Sequence, residues 1–267
     1  MKIKLFFSLL LGVFGLWLSL AVSGAEATAC PPDSVQSGDT CMDKYEASVW
    51  EIPNVPANKS LIGRVKAGRA TLATLTSPTA IADGVVQRGV SSDDYPCDDD
   101  GNDCTTIYAV SIPGVTPSRF NTWFQAAAAA RNAGKRLSSN AEWQAAALGT
   151  PDPGPSPGAA DCNTNSAGPS LTGARANCVS GVGAFDMVGN LWEWVAEWVP
   201  LSTAVPGWGG FSDDYMGLAG ASTTGGPGAL LRGGNFVIGG TSAGVFAVSG
   251  QTAPSSVDLS IGFRAAR

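Results

Sequence analysis

The chain has 267 residues, a formal charge of -6 and no histidine. An acidic body without a basic run argues against nucleic acid and anionic membrane surfaces as partners, and the missing imidazole removes the usual general base and the Ser-His-Asp and Cys-His pairs. The length can bury a real core as one large domain or two small ones.

Lys2 and Lys4, an apolar run from Leu5 to Val22 and then Ala25-Glu26-Ala27 have the charged, hydrophobic and small-residue regions of a secretory signal. Cleavage is expected after Ala27, which moves the formal charge from -6 to -7 because two lysines and a glutamate leave with residues 1–27. The run is long enough for an uncleaved anchor to be the alternative, since spanning takes about 20 apolar residues. A membrane is a partner only in that case, and the expected location is periplasmic or extracellular. The segment Ala27-Thr28-Ala29 before Cys30 is a poor lipobox.

All six cysteines follow the signal, an even number that in an exported chain favours disulfides over thiol chemistry. Proximity pairs Cys30 with Cys41, Cys97 with Cys104 and Cys162 with Cys178, one of fifteen connectivities. Each loop is short, so each bridge contributes about 2–3 kcal/mol.

Next, Met42 to Trp50 alternates well enough for a half-buried strand. Residues 61–118, rich in Gly, Ser, Thr and Asp, read as loops and short strands forming an insertion over the core. Pro117-Ser118 opens a helix to Ala133, with Phe120, Trp123, Phe124 and Ala127 on one side and Gly134 ending it. Ser139-Asn-Ala-Glu142 is a capping box for a second helix running to about Leu148, in which Trp143 and Ala147 are neighbours. Pro151 to Pro157 holds four prolines and is a surface loop. From Ala184 onward turns join short strands, and Trp192, Trp194 and Trp198 alternate on a strand period as core residues.

The segments Asp186-Met-Val-Gly-Asn-Leu-Trp-Glu-Trp194, Leu231-Arg-Gly-Gly-Asn-Phe236 and Ile261-Gly-Phe-Arg264, preceded by the helix, glycine, Arg136-Leu137 and helix, follow one another in order. This arrangement resembles the formylglycine-generating-enzyme or sulfatase-modifying-factor domain family, over about Cys41 to Arg267. The resemblance implies an α+β, C-type-lectin-like fold with much irregular structure, twisted antiparallel strands and two main helices, occupying residues 28–267. It also implies a structural calcium held by Asp186, Glu193 and the carbonyls of Gly189 and Leu191, chemically reasonable because calcium takes six to eight oxygens. The alternative is that Glu193 pairs with Arg232 or Arg264, since a buried carboxylate needs a partner either way. Asn163 marks a second family calcium position whose partners do not align. The acidic loop between Cys97 and Cys104 reads either as a further oxygen-ligand loop or as a solvated tip.

Enzymes of that family hold copper through two cysteines shortly after Arg-Gly-Gly. Here Asn235 to Phe246 contains none, so no copper is expected, because soft thiolates are what hold the monovalent ion. Related iron-dependent sulfoxide synthases use histidines, also missing. A second resemblance is to the variable target proteins of diversity-generating retroelements, whose variable region starts at Arg-Gly-Gly and ends at Ile-Gly-Phe-Arg. Arg232-Gly-Gly234, Ala243-Gly-Val-Phe246, Ala253-Pro254 and Ile261-Gly-Phe-Arg264 follow that plan. Between them Val237, Ile238, Ser249, Thr252, Val257, Asp258, Leu259 and Ser260 are all reachable from asparagine codons by adenine mutagenesis. With Asn235 they form the expected surface for a protein or glycan ligand. Ordinary loop composition explains small residues there equally well. Three functions stand: a non-catalytic ligand-binding protein, a formylglycine-generating or related oxidoreductase acting on sulfatase-like protein substrates, and a structural subunit of an envelope complex.

Overall fold

The computed structural model describes residues 29–92, 94–151, 161–202, 207–208, 211–222, 224–238 and 242–267. The expected signal and cleavage site, and most of the proline-rich loop, lie outside these residues. Three small sheets and five short helices make a mixed α+β fold, and among the described residues no helix is long and apolar enough to cross a membrane.

The first sheet joins β1 (Ser34–Ser37), β2 (Thr40–Asp43), β12 (Ala265–Ala266) and β6 (Arg136–Leu137) in that order. It brings the two ends of the described chain together. Cys41 and Arg267 exchange backbone hydrogen bonds of 2.9 and 3.1 Å, and Arg267 Nη1 lies 2.9 Å from Asp33 Oδ1. Beneath them the buried Lys135 ammonium sits 2.7 Å from Asp33 and 2.6 Å from Asp43.

The predicted single strand from Met42 to Trp50 is two strands, β2 and then β3 (Ser48–Glu51), separated by a bend at Lys44-Tyr45 that carries the chain between sheets. β3 lies between β4 (Val86–Arg88) and β5 (Ile107–Val110), all antiparallel. β5 is wholly buried, so the stretch expected to lie over the core instead supplies part of it. The same stretch holds α1 (Lys59–Lys66), α2 (Leu72–Leu75) and α3 (Pro78–Ala82). The two shortest are started by local chemistry, a Thr71/Thr74 capping box and a Ser77 cap before Pro78.

α4 (Trp123–Asn132) begins later than the sequence predicts. Its cap is Thr122, in a capping box with Gln125, while Phe120 has φ +58° and cannot continue a helix. The buried face is Gln125, Ala126 and Ala128 to Ala130, and the bulky Trp123 and Phe124 are only half-buried. Small side chains let the helix lie closely on β5. α5 (Asn140–Ala147) starts with the predicted Ser139/Glu142 box and buries Trp143 and Ala147.

The third sheet runs β11 (Ile261–Phe263), β7 (Trp192–Val199), β9 (Gly228–Arg232), β10 (Val248–Thr252) and β8 (Met216–Gly217). The pairs β11–β7 and β10–β8 are parallel, the others antiparallel. Trp192 and Trp194 are core, as predicted. Trp198 is not: past the β7–β9 register shift between Trp194 and Trp198, the residues of β7 from Ala196 onward are half-buried or exposed. It is exposed and meets Trp123 and Phe124 edge-on at 5.3 and 5.8 Å. The bridges are Cys30–Cys41, Cys97–Cys104 and Cys162–Cys178, the pairing proximity suggests, and no cysteine is free.

Candidate functional site

Two places draw together the residues singled out by sequence: a buried polar knot at the start of β7, and the loops around β10 and β11. In the knot, Glu193 lies between Arg232 on β9 and Gly262 on β11 in the sheet register. Both of its oxygens are committed. Arg264 Nη2 donates to Oε1 at 2.7 Å and Nε to Oε2 at 2.9 Å, while Trp143 Nε1 donates to Oε2 at 2.6 Å. Arg264 also donates to the carbonyls of Asp43 and Phe185 at 3.0 and 2.7 Å. This is possible because Arg264 stands between β11 and β12, where the chain leaves one sheet for another and its side chain turns inward.

Two further carboxylates share that guanidinium. Glu46 accepts from the Leu191 amide at 2.9 Å and from the Asn190 side chain. Asp186 accepts from the Gly173 amide at 2.7 Å. Asn190 Oδ1 in turn accepts from Asn163 Nδ2 at 3.1 Å and Ser170 N at 2.7 Å. Asp186 and Asn190 both sit at positive φ, +58° and +57°, conformations that Asn and Asp tolerate best among residues with a side chain. Burial, then the charges of Asp186 and Glu193, push the Glu46 carboxyl well above its ordinary range. Burial raises Asp186 to about 6.

Three buried carboxylates around one buried arginine are short of positive charge. In charge the donor set of Asp186, Gly189 and Leu191 therefore fits a divalent cation. In geometry Glu193 is spent on Arg264 and Trp143, the arrangement that the ion-pair alternative describes. Among the described residues no three acidic, cysteine or histidine side chains converge as a metal cage. Glu46, Asn190 and Trp143 were not singled out as site residues. Glu46 is far away in sequence and carries no local signal, whereas Asn190 lies inside the Asp186–Trp194 motif.

Arg232 is buried over the Trp143 ring at 4.7 Å and donates to the Val245 carbonyl at 3.0 Å and to Gln144. Burial lowers its pKa to about 10. Gly233 at φ +90° passes where a Cβ would come 2.9 Å from the Met187 carbonyl. The Arg-Gly-Gly segment thereby locks the end of β9 to the knot.

The C-terminal positions divide by burial. Val237, Leu259 and Val257 are 61%, 46% and 44% exposed, and Asp258 is exposed as well. Ile238 and Thr252 are half-buried, and Asn235, Ser249 and Ser260 are buried. Several hold turns: Asn235 Oδ1 accepts from the amides of Val237 and Ile238 at 2.9 and 2.8 Å, and Asp258 Oδ1 accepts from the Ser260 amide and hydroxyl at 2.8 and 2.6 Å. The loop before β11 is fastened to the run into α4, Phe120 N donating to Asp258 O at 3.1 Å and Trp123 N to Pro254 O at 2.9 Å. An exposed Phe211 packs with Trp208 and Phe246 at 5.8 and 5.1 Å. The acidic Cys97–Cys104 loop braces α4, with Gln125 and Thr122 donating to Asp99 at 3.3 and 2.6 Å.

A sulfatase-modifying factor enzyme 1-like domain model matches residues 100–267, more than half of the chain. Hercynine oxygenase from Mycolicibacterium smegmatis is 32% identical over 142 residues, covering 48% of this chain and 32% of its own length. The chain thus spans about a third of that curated relative. Among solved structures, the Major Tropism Determinant I1 variant has 23% identity and a TM-score of 0.40 over 61% of this chain and 45% of its own. The M1 variant has 19% identity and a TM-score of 0.46 over 90% and 53%. At these scores the structural likenesses carry no weight for function.

Proposed function

Because the chain belongs to the sulfatase-modifying factor enzyme 1-like domain family, we propose that it is an exported, non-catalytic member binding a protein or glycan ligand through the loops around its C-terminal strands. The observation that carries this reading is the set of exposed apolar side chains Val237, Val257 and Leu259 on loops hydrogen-bonded to a buried frame. Recognition commonly sits on loops held by a rigid scaffold. The bridged cysteines and the absence of histidine support this reading, because thiolates are what hold monovalent copper and histidines serve the related iron-dependent enzymes. The test is titration of the purified protein with monovalent copper together with a sulfatase peptide. No tight copper and no aldehyde is the expected result, and turnover would overturn the reading.

The retroelement plan deepens the same proposal. Neighbouring DNA should carry a near-copy of codons 232–267 beside a reverse transcriptase, and mismatches away from template adenines would sink it. A structural calcium on Asp186 with the carbonyls of Gly189 and Leu191, and Glu193 behind them, is supported by the surplus of buried carboxylates. A chelator should then lower the melting temperature and calcium restore it. An unchanged temperature would mean that protons, not a metal, offset the charge. The second reading, an oxidoreductase, is favoured by family membership and by the relation to hercynine oxygenase. The copper assay decides between ligand binding and formylglycine formation, and the same titration with ferrous iron decides for the iron-dependent relatives.

A further inference from the structure

A cavity of about 590 Å³ opens where four segments of the amino-terminal half meet: Pro32-Asp33, Lys44-Tyr45, residues 68–73 between α1 and α2, and Ser111 to Pro113 after β5. It shares no residue with the knot ligands or the C-terminal loops. Its size is that of a small-molecule site.

Most polar atoms on its walls are already used. Asp33 is held by Lys135 and Arg267 at 2.7 and 2.9 Å. Ser111 Oγ donates to the Asp33 carbonyl at 2.9 Å and accepts from the Tyr45 amide at 3.0 Å. The Thr71 hydroxyl caps α2. The Tyr45 hydroxyl and the cations Lys44 and Arg69 remain. The Lys44 ammonium lies over Tyr45 and Phe185, 5.7 and 5.8 Å from the centroids of these stacked rings, and has no ion pair among the described residues. Arg69 is exposed and forms no ion pair among the described residues. The one carboxylate on the wall, Asp33, is taken by Lys135 and Arg267, so in a chain of net charge -6 Lys44 and Arg69 stand beside this cavity with no ion pair among the described residues. The rest of the lining includes Pro32, Ala70, Leu72, Ala73, Ile112 and Pro113, an apolar surface that would leave a sugar's hydroxyls largely unpaired.

We propose that this cavity binds a small amphipathic anion, its carboxylate or sulfonate head between Lys44 and Arg69 and its apolar body against Leu72, Ile112 and Pro113. Charge complementarity selects the head, and the largely apolar lining selects the body.

The test uses the disulfide-bonded chain and the fluorescent anion 8-anilinonaphthalene-1-sulfonate. Saturable binding at one site is expected, weakened at least ten-fold in the double variant Lys44→Met, Arg69→Met. The uncharged analogue N-phenyl-1-naphthylamine should bind at least ten-fold more weakly. Phe211→Ser, which removes an exposed aromatic elsewhere, should leave binding unchanged. Leu72→Asp sets a repelling charge on an exposed wall residue and should also weaken binding ten-fold, which decides the matter if the double variant does not fold. Absence of saturation, equal binding of the neutral analogue, loss on Phe211→Ser, or full binding by the folded double variant or by Leu72→Asp would each overturn the proposal. So would displacement of the probe by neutral monosaccharides.

Discussion

Arg264 shows how much one side chain decides. Among the described residues it is the only guanidinium or ammonium bonded to Glu193, it lies beside Glu46 and Asp186, and it is wholly buried. Removing one partner of a buried ion pair typically costs about 3–5 kcal/mol, because the other charge is stranded. The two halves of this pair are not equivalent. Arg264→Met takes the shared cation from three carboxylates and leaves Arg175 acting on Asp186, whereas Glu193→Gln leaves the arginine with Glu46 and Asp186. Arg264→Met should therefore be the more damaging, by about 1–2 kcal/mol in denaturant unfolding. Equal losses would mean that the knot is neutralised in some other way. Gly233→Ala joins a strained φ of +90° to a close approach to Met187 and Trp143, and should cost about 1–3 kcal/mol.

At the level of elements, α5 depends on its first turn. Glu142 accepts from Ser139 N at 2.8 Å and from both terminal nitrogens of Arg136, at 2.6 and 2.7 Å. The Arg136 hydrogen bonds, aided by Ser139 and Thr40 against the opposing effect of burial, bring its pKa down to about 2. Since the folded value lies below the ordinary 4.5, the stabilisation is fully present above pH 4.5 and is lost as pH falls toward 2. Glu142→Gln should remove that portion of the acid sensitivity and cost about 1 kcal/mol at neutral pH. A variant with an unchanged acid profile would refute the assignment. Ser139 and Glu142 are legible in sequence because a capping box is written in four consecutive residues. The start of α4 was misplaced for the opposite reason. Pro117-Ser118 has the composition of a cap, but Phe120 is drawn into positive φ while its amide bonds to Asp258, far along the chain.

For the molecule as a whole, the disulfides act through loop length. The Cys162–Cys178 bridge closes a separation of 16 residues and Cys97–Cys104 one of 7. On chain-entropy grounds, the double Cys→Ser variant of the longer loop should lose about 0.5 kcal/mol more than that of the shorter. The reverse order, measured by unfolding, would point to native-state strain or to structure left in the unfolded chain. The proposed C-terminal binding surface makes a different demand: Val257→Asp or Leu259→Asp should abolish ligand capture while leaving the melting temperature within about 2 °C, because exposed substitutions seldom alter stability much.

The sequence by itself determined the family, the cysteine pairing by proximity, the α5 cap and the burial of Trp192 and Trp194, because each is encoded over short distances or in a motif of fixed order. Only the tertiary structure decided that Glu46 joins Asp186 and Glu193, that Trp198 lies outside the core past a register shift, that β5 belongs inside, and that Lys44 and Arg69 flank one cavity. These features depend on which distant segments pack together, and a side chain's charge balance and exposure are set by neighbours that the chain's own order does not place beside it.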